Sequence, residues 1–275
     1  MRLLLLFAFL TSVNSLKILG IFPYAGKSHF VVFEVLLKEL AKRGHQVTVV
    51  SEFPQKQPIQ NYKDIALEKS PNMEIINIAD MPPPFIRKYA ILKYLVQAAW
   101  ETCDKLNQKP IRELINSADK YDLLLIEYFN TDCFLGFAHK FKVPFIGLSS
   151  CYDMPWSGER VANPTNPAYI PNHFGNFNIN MNFWERLENT VLHVYTNIIY
   201  STLMQGDEIA KKHFGDDLPP LHVLARNTSL FLVNTLPALN GVRPKVPSFV
   251  EIGGMNIGKS KRVSPTVSRA YNTNR

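Results

Sequence analysis

Apolar residues in this chain gather in short unbroken runs, each followed by a stretch at helical spacing. Ile18 to Phe22 is the first run, and Pro23-Tyr24-Ala25-Gly26-Lys27 reads as a turn after it. Phe33, Leu36, Leu37, Leu40 and Ala41 then recur at helical intervals. That spacing predicts a helix from about Ser28, with Ser28 as N-cap and Gly44 as the stop. Gln46 to Val50 is a second buried run, so residues 16–53 read as a βαβ unit with parallel strands and a right-handed crossover.

The pattern then repeats. Tyr121 to Glu127 is an apolar strand closed by an acid, 132–141 a helix and Val143 to Leu148 the next strand. Between the units the spacing predicts a strand near Met73–Ile78 and helices across 91–106 and 111–117. Residues 152–182 are rich in Asn and Pro and read as irregular. An amphipathic run from Trp184 to about Ile209 follows; it is expected to pack on the sheet, with contact to a membrane surface as the other use of such a face. Ser229 to Asn234 is the last predicted strand. The fold class is α/β, a doubly wound, Rossmann-like parallel sheet, and sites in such sheets lie at the carboxyl ends of strands.

The ends differ from the body. Arg2, the apolar run Leu3–Leu10 and Val13-Asn14-Ser15 form the pattern of a secretory signal over residues 1–15, the competing reading being a buried first strand. The apolar run is shorter than the roughly 20 residues a membrane-spanning helix needs. Asn227-Thr228-Ser229 is an acceptor for N-glycosylation if the chain enters the secretory pathway.

Composition narrows the classes. The chain has 275 residues, 46% hydrophobic and 19% charged, which fits a globular protein with a sizeable core. Its formal net charge of +7 would suggest a nucleic acid or an anionic surface as partner. However, Lys259, Lys261, Arg262, Arg269 and Arg275 crowd into the last residues without an acid among them, which leaves residues 16–258 nearly neutral and removes the case for nucleic acid. Cys103, Cys133 and Cys151 make neither a disulfide framework nor a metal motif; a single bridge stays open.

Candidate chemistry collects at two strand ends. His29 lies at the junction of the first strand's loop and its helix, where an imidazole can face a ligand and act as a general base, or can merely cap the helix. Glu127 closes the fourth predicted strand and Asp132 opens the helix after it. Either carboxylate could orient an imidazole, and either could be structural, as a rim charge or an N-cap. Gly26-Lys27-Ser28 lacks the remaining spacing of a phosphate loop. His45, beyond the helix end, reads as structural.

Several segments together resemble the amino-terminal half of animal UDP-glycosyltransferases, insect members most of all. They are Ile21-Phe22-Pro23, Lys27-Ser28-His29-Phe30, Leu40 to Ser51, Asn130 to Phe137, Gly147 to Ser150, Asn163-Pro164 through Ala168 to Pro171, and Val250 to Met255. The resemblance extends from the signal to about Lys261. It implies the amino-terminal domain of a GT-B fold, two facing Rossmann-like domains with the active site between them. It also implies inverting transfer of a hexose from a UDP-sugar, UDP-glucose or UDP-glucuronate, to the hydroxyl of a small lipophilic acceptor. No tightly bound cofactor and no metal are implied.

On the same resemblance His29 becomes the base that deprotonates the acceptor. Asp132 is favoured as its partner acid because the residue type matches, and Glu127 stands opposite the family's acid in the other register. Phe85, Trp100, Cys151 and Trp156 are expected to line the acceptor pocket, the competing reading for each being plain core or loop packing. The resemblance implies the lumen of the endoplasmic reticulum as location and homo- or hetero-oligomers with family members as partners. The expected division is a signal over 1–15, an acceptor-binding domain over 16–258 and a divergent basic tail over 259–275. The family's UDP-sugar domain and membrane anchor are expected to be absent, which would leave the chain inactive alone. The alternative is a non-catalytic lumenal protein that binds lipophiles or modulates full-length relatives.

Overall fold

The computed structural model describes residues 15–70 and 82–258, and of Pro84 and Phe85 the backbone only. The expected signal, the strand near Met73–Ile78 and the tail from Lys259 lie outside the described residues.

Among the described residues seven strands form one parallel sheet: β1 (Lys17–Phe22), β2 (Gln46–Ser51), β3 (Tyr62–Ala66), β4 (Leu123–Glu127), β5 (Phe145–Ser149), β6 (Leu230–Val233) and β7 (Phe249–Glu251), in the order β3-β2-β1-β4-β5-β6-β7. The sheet is thus the doubly wound, Rossmann-like one that the apolar runs predict. Its central strands are buried on both faces, because helices cover both sides of a parallel sheet. From β1 the chain winds outward through β2 to β3, and from β4 it winds the other way to β7. Strand order therefore reverses between β1 and β4, whose register pairs Ile21 with Ile126. In doubly wound sheets ligands bind at that place, beyond the carboxyl ends.

Helix α1 (Lys27–Lys42) crosses from β1 to β2 and buries Phe30, Val32, Phe33, Leu37 and Ala41. Its first turn differs from the expected one. Gly26 occupies the N-cap, with no side-chain cap, and Ser28 is already inside the helix. The reason is steric: a Cβ at Gly26 would come within 2.6 Å of the Tyr24 ring, so only glycine lets the loop turn this tightly. Gly44 ends the helix as expected, left-handed at φ 94°, its amide donating to the Ala41 carbonyl. His45 is structural, its Nδ1 accepting from the Leu16 amide.

Helix α2 (Pro84–Asp104) and helix α3 (Lys109–Asn116) lead into β4. A short 3-10 turn (Cys133–Leu135) and helix α4 (Gly136–Phe141) follow it, in place of one continuous helix from Asp132. Cys103 and Cys133 are joined by a disulfide, which ties the end of α2 to that turn; Cys151 is free.

Helix α5 (Phe183–Ile199) corrects another expectation. It does not bury its apolar positions on the sheet: Phe183 and Trp184 are 70% and 72% exposed, and its buried residues are Asn189, Leu192 and Thr196. The anchoring is polar. The Asn189 side chain donates to the carbonyls of Pro167 and Ile170 and accepts from the Asn172 amide, so the helix is bolted to the irregular 152–182 segment. A π-helical turn (Tyr200–Met204) extends it, and left-handed Gly206 separates it from α6 (Asp207–Phe214). Two short helices, α7 (Leu221–Ala225) and α8 (Pro237–Asn240), flank β6. Among the described residues no helix is long and apolar enough to cross a membrane.

Candidate active site

The reversal between β1 and β4 brings two of the expected residues together. The loop after β1 delivers His29 in the first turn of α1, and Glu127 is the last residue of β4. His29 Nδ1 lies 2.8 Å from Glu127 Oε1, and the side chains are 17% and 2% exposed. An ionised carboxylate can only accept, so Nδ1 carries the proton and donates. In the neutral ring Nε2 then keeps its lone pair. An imidazole held this way can take a proton through Nε2, while the carboxylate steadies the imidazolium that results.

Two aromatic rings flank the pair. Tyr24 and Phe129 pack against the His29 ring at centroid distances of 4.5 and 4.4 Å, and against each other at 4.6 Å. Burial, then the charge of Glu127 and then Cys151, raise the Tyr24 phenol to about 12, so it stays protonated. Glu127 Oε2 is buried without a hydrogen-bond partner, a carboxylate oxygen open to a donor. Neither aromatic ring was singled out in the sequence. Their signal is position: both lie just beyond strands whose ends carry His29 and Glu127.

Asp132 is elsewhere. Its side chain is 1% exposed and its carboxylate meets the Arg160 guanidinium at 2.8 Å, with Tyr128 and Tyr200 around the same guanidinium. Burial pushes this carboxyl above its ordinary range and the Arg160 charge pulls it back. The preference for Asp132 as the partner of His29 is therefore corrected to Glu127. The physical reason is direction: Glu127 extends from the strand end beside the β1 loop, whereas Asp132 has turned into the interior, where a buried arginine claims it.

The expected acceptor residues separate into kinds. Cys151 lies just past β5, half-buried, its thiol raised to about 11 chiefly by burial and hence un-ionised. Trp156 is a core residue, stacked on Tyr200 at 4.6 Å and donating its indole N–H to the Phe129 carbonyl at 3.0 Å. It supports the ring that touches His29 instead of lining open space. Trp100 is 62% exposed on α2 and donates to the Leu203 carbonyl of the π-helical turn. Phe85 stands in the first turn of α2; its side chain lies outside the described residues. Asn227 is exposed beyond α7. Among the described residues no group of three His, Cys, Asp or Glu side chains is placed to hold a metal.

Comparison with known proteins gives this geometry a context. The sequence profile described as UDP-glucoronosyl and UDP-glucosyl transferase matches residues 17–273, and so continues past Lys261. A UDP-glycosyltransferase, UGT5, from Dactylopius coccus is 36% identical over 98% of this chain and 53% of its own length. UDP-glucosyltransferase 2 from the same insect is 36% identical over 93% of this chain and 51% of its own. The chain thus spans about half the length of the curated relatives it matches. Among solved structures, the calicheamicin glycosyltransferase CalG4 aligns with 87% of this chain and 53% of its own, at 13% identity and a TM-score of 0.43.

Proposed function

The chain belongs to the UDP-glucoronosyl and UDP-glucosyl transferase family, and from that membership we propose that its domain is the acceptor side of a sugar-transfer site. The observation that carries the reading is the Nδ1 to Oε1 hydrogen bond of His29 and Glu127 at the strand reversal. In this reading a small lipophilic alcohol or phenol binds over the Tyr24 and Phe129 rings with its hydroxyl at His29 Nε2. Nε2 takes the hydroxyl proton. The freed oxygen attacks C1 of the hexose of a UDP-sugar as the bond from C1 to the UDP oxygen breaks. UDP leaves with that electron pair, and the anomeric carbon inverts. Glu127 balances the imidazolium until the proton passes to solvent.

Placement by the dyad is what general-base catalysis asks of the protein, a proton acceptor within hydrogen-bond reach of the reacting hydroxyl. UDP-glucose is the first donor to test, given the printed name of the second relative. We further propose that the domain is one half of a two-domain GT-B arrangement and that it works in the lumen of the endoplasmic reticulum. The signal pattern at the start and the exposed Asn227 support that location.

The test is a titration of this chain with 1-naphthol, followed through the His29 ring resonances, and a product assay after UDP-glucose is added. Naphthol should shift His29, and any glucoside formed should vanish in His29→Ala. Glucoside that persists in His29→Ala would sink the assignment. Naphthol binding with neither product nor UDP affinity would favour the lipophile-binding alternative.

A further inference from the structure

Beneath the loop that carries His29 lies a charge pair that the dyad itself does not use. Lys105, in the 3-10 turn that ends α2 (Lys105–Asn107), is 3% exposed. Its ammonium meets the Glu52 carboxylate just past β2 at 2.6 Å, with the Glu52 side chain 5% exposed. The same ammonium donates to the carbonyl of Pro23, the first residue after β1. Glu52 is held in turn by the amide and the hydroxyl of Ser70. Burying two charges costs several kcal/mol even when they pair, and apolar residues of similar volume often serve stability as well or better. A cation this deep therefore invites a role other than holding the core.

Its partners indicate the role. Pro23 opens the four-residue loop Pro23-Tyr24-Ala25-Gly26 that leads to α1, and the His29 amide is bonded to the Gly26 carbonyl at the far end of that loop. Proline has no amide with which to fasten itself, so its carbonyl is the one backbone group through which this residue can be tied. Lys105 supplies that tie from another crossover of the sheet. Burial pulls the Lys105 ammonium below its ordinary value, and the hydrogen bond and charge of Glu52, then the charges of Glu101 and Glu127, work against that loss.

We propose that Lys105 is a positioning residue for the dyad: by gripping the Pro23 carbonyl it fixes the β1 loop so that His29 presents Nδ1 to Glu127 and leaves Nε2 free. The importance of that position rests on the reading of His29 as a base, but the positioning itself is measured without turnover. The comparison is between the parent chain, Lys105→Met and the double variant Lys105→Met/Glu52→Leu. The double variant replaces both buried charges by apolar side chains, so it keeps the core filled while removing the grip on Pro23.

The readout is the ratio of the two neutral tautomers of His29, taken from its ring nitrogen resonances, beside the thermal midpoint. In the double variant the midpoint should hold to within a few degrees while the Nδ1–H to Nε2–H ratio falls about tenfold, the scale of one lost charge-assisted hydrogen bond. Lys105→Arg, which keeps a cation and a donor, should restore most of the ratio. A ratio unchanged in a folded double variant overturns the proposal and leaves Lys105 a structural residue. A ratio that responds as expected, beside a glucoside that persists in His29→Ala, would overturn the functional reading and leave the positioning role standing.

Discussion

The guanidinium of Arg160 and the carboxylate of Asp132 meet at 2.8 Å in an interior from which both are almost wholly withdrawn, 3% and 1% exposed in their side chains. Tyr200 is hydrogen-bonded to the same guanidinium. Asp132→Asn should leave an unbalanced buried cation and cost about 3–5 kcal/mol in urea unfolding, with the ring signals of His29 little changed. Glu127→Gln should do the opposite, costing less stability while weakening the Nδ1–H bond at His29, because a neutral amide oxygen replaces the charged acceptor. If Asp132→Asn instead disturbed His29 as strongly as Glu127→Gln, the assignment of the dyad would be reversed.

Gly26 sets the tightness of the His29 loop. A methyl there would stand 2.6 Å from a Tyr24 ring carbon and 3.3 Å from His29 Cδ2. Gly26→Ala should therefore displace both rings, with a loss of roughly 1–3 kcal/mol typical of overpacking and weaker naphthol binding. Calorimetric melting and the naphthol titration read the two effects separately.

The disulfide between Cys103 and Cys133 spans a sequence separation of 30. A loop of that length should contribute about 3–4 kcal/mol through the unfolded chain. Replacing both cysteines by alanine should lower the urea midpoint accordingly, and reductant should do the same to the parent but nothing to the variant.

Two residues of the 152–182 segment have opposite pH signatures. Burial raises the Asp153 carboxyl to about 7 even with the Arg243 guanidinium at 3.3 Å, so its favourable contribution exists at low pH and is lost as pH rises through 7. Burial lowers His173 to about 4, so its contribution is present above its ordinary pKa and is lost as pH falls toward 4. Between roughly pH 4 and 6.5 the two slopes oppose each other. Asp153→Asn should uncover the histidine: relative to the parent, unfolding free energy should climb with pH across that window, by at most about 1.4 kcal/mol per unit. A pH series of urea titrations on parent and variant gives the difference directly.

The interior strands were readable because parallel strands buried on both faces become unbroken apolar runs, as in β1, β2, β4 and β5. The margins were not. Strand β3 is Tyr62-Lys63-Asp64-Ile65-Ala66, an edge strand whose polar residues hide it, and β7 has only three residues. His29 could be picked out because a strand-to-helix loop is where such sheets place ligands. Its partner could not be chosen by spacing, since the arginine that claims Asp132 sits 28 positions later in an irregular segment. Lys105 gave no sign either: a lysine beside buried Leu106 looks like any helix-end charge until the Pro23 carbonyl is found above it.

The His29–Glu127 bond joins residues 98 positions apart across the strand reversal. During synthesis at roughly 5–20 residues per second, the first βαβ unit is complete about 4–15 seconds before its acid exists. For that interval the histidine is a bare side chain on half a sheet, and its tautomer is set by water. Assembly of the dyad therefore marks the moment when β4 has docked beside β1, and the His29 tautomer ratio reports that meeting of the two windings.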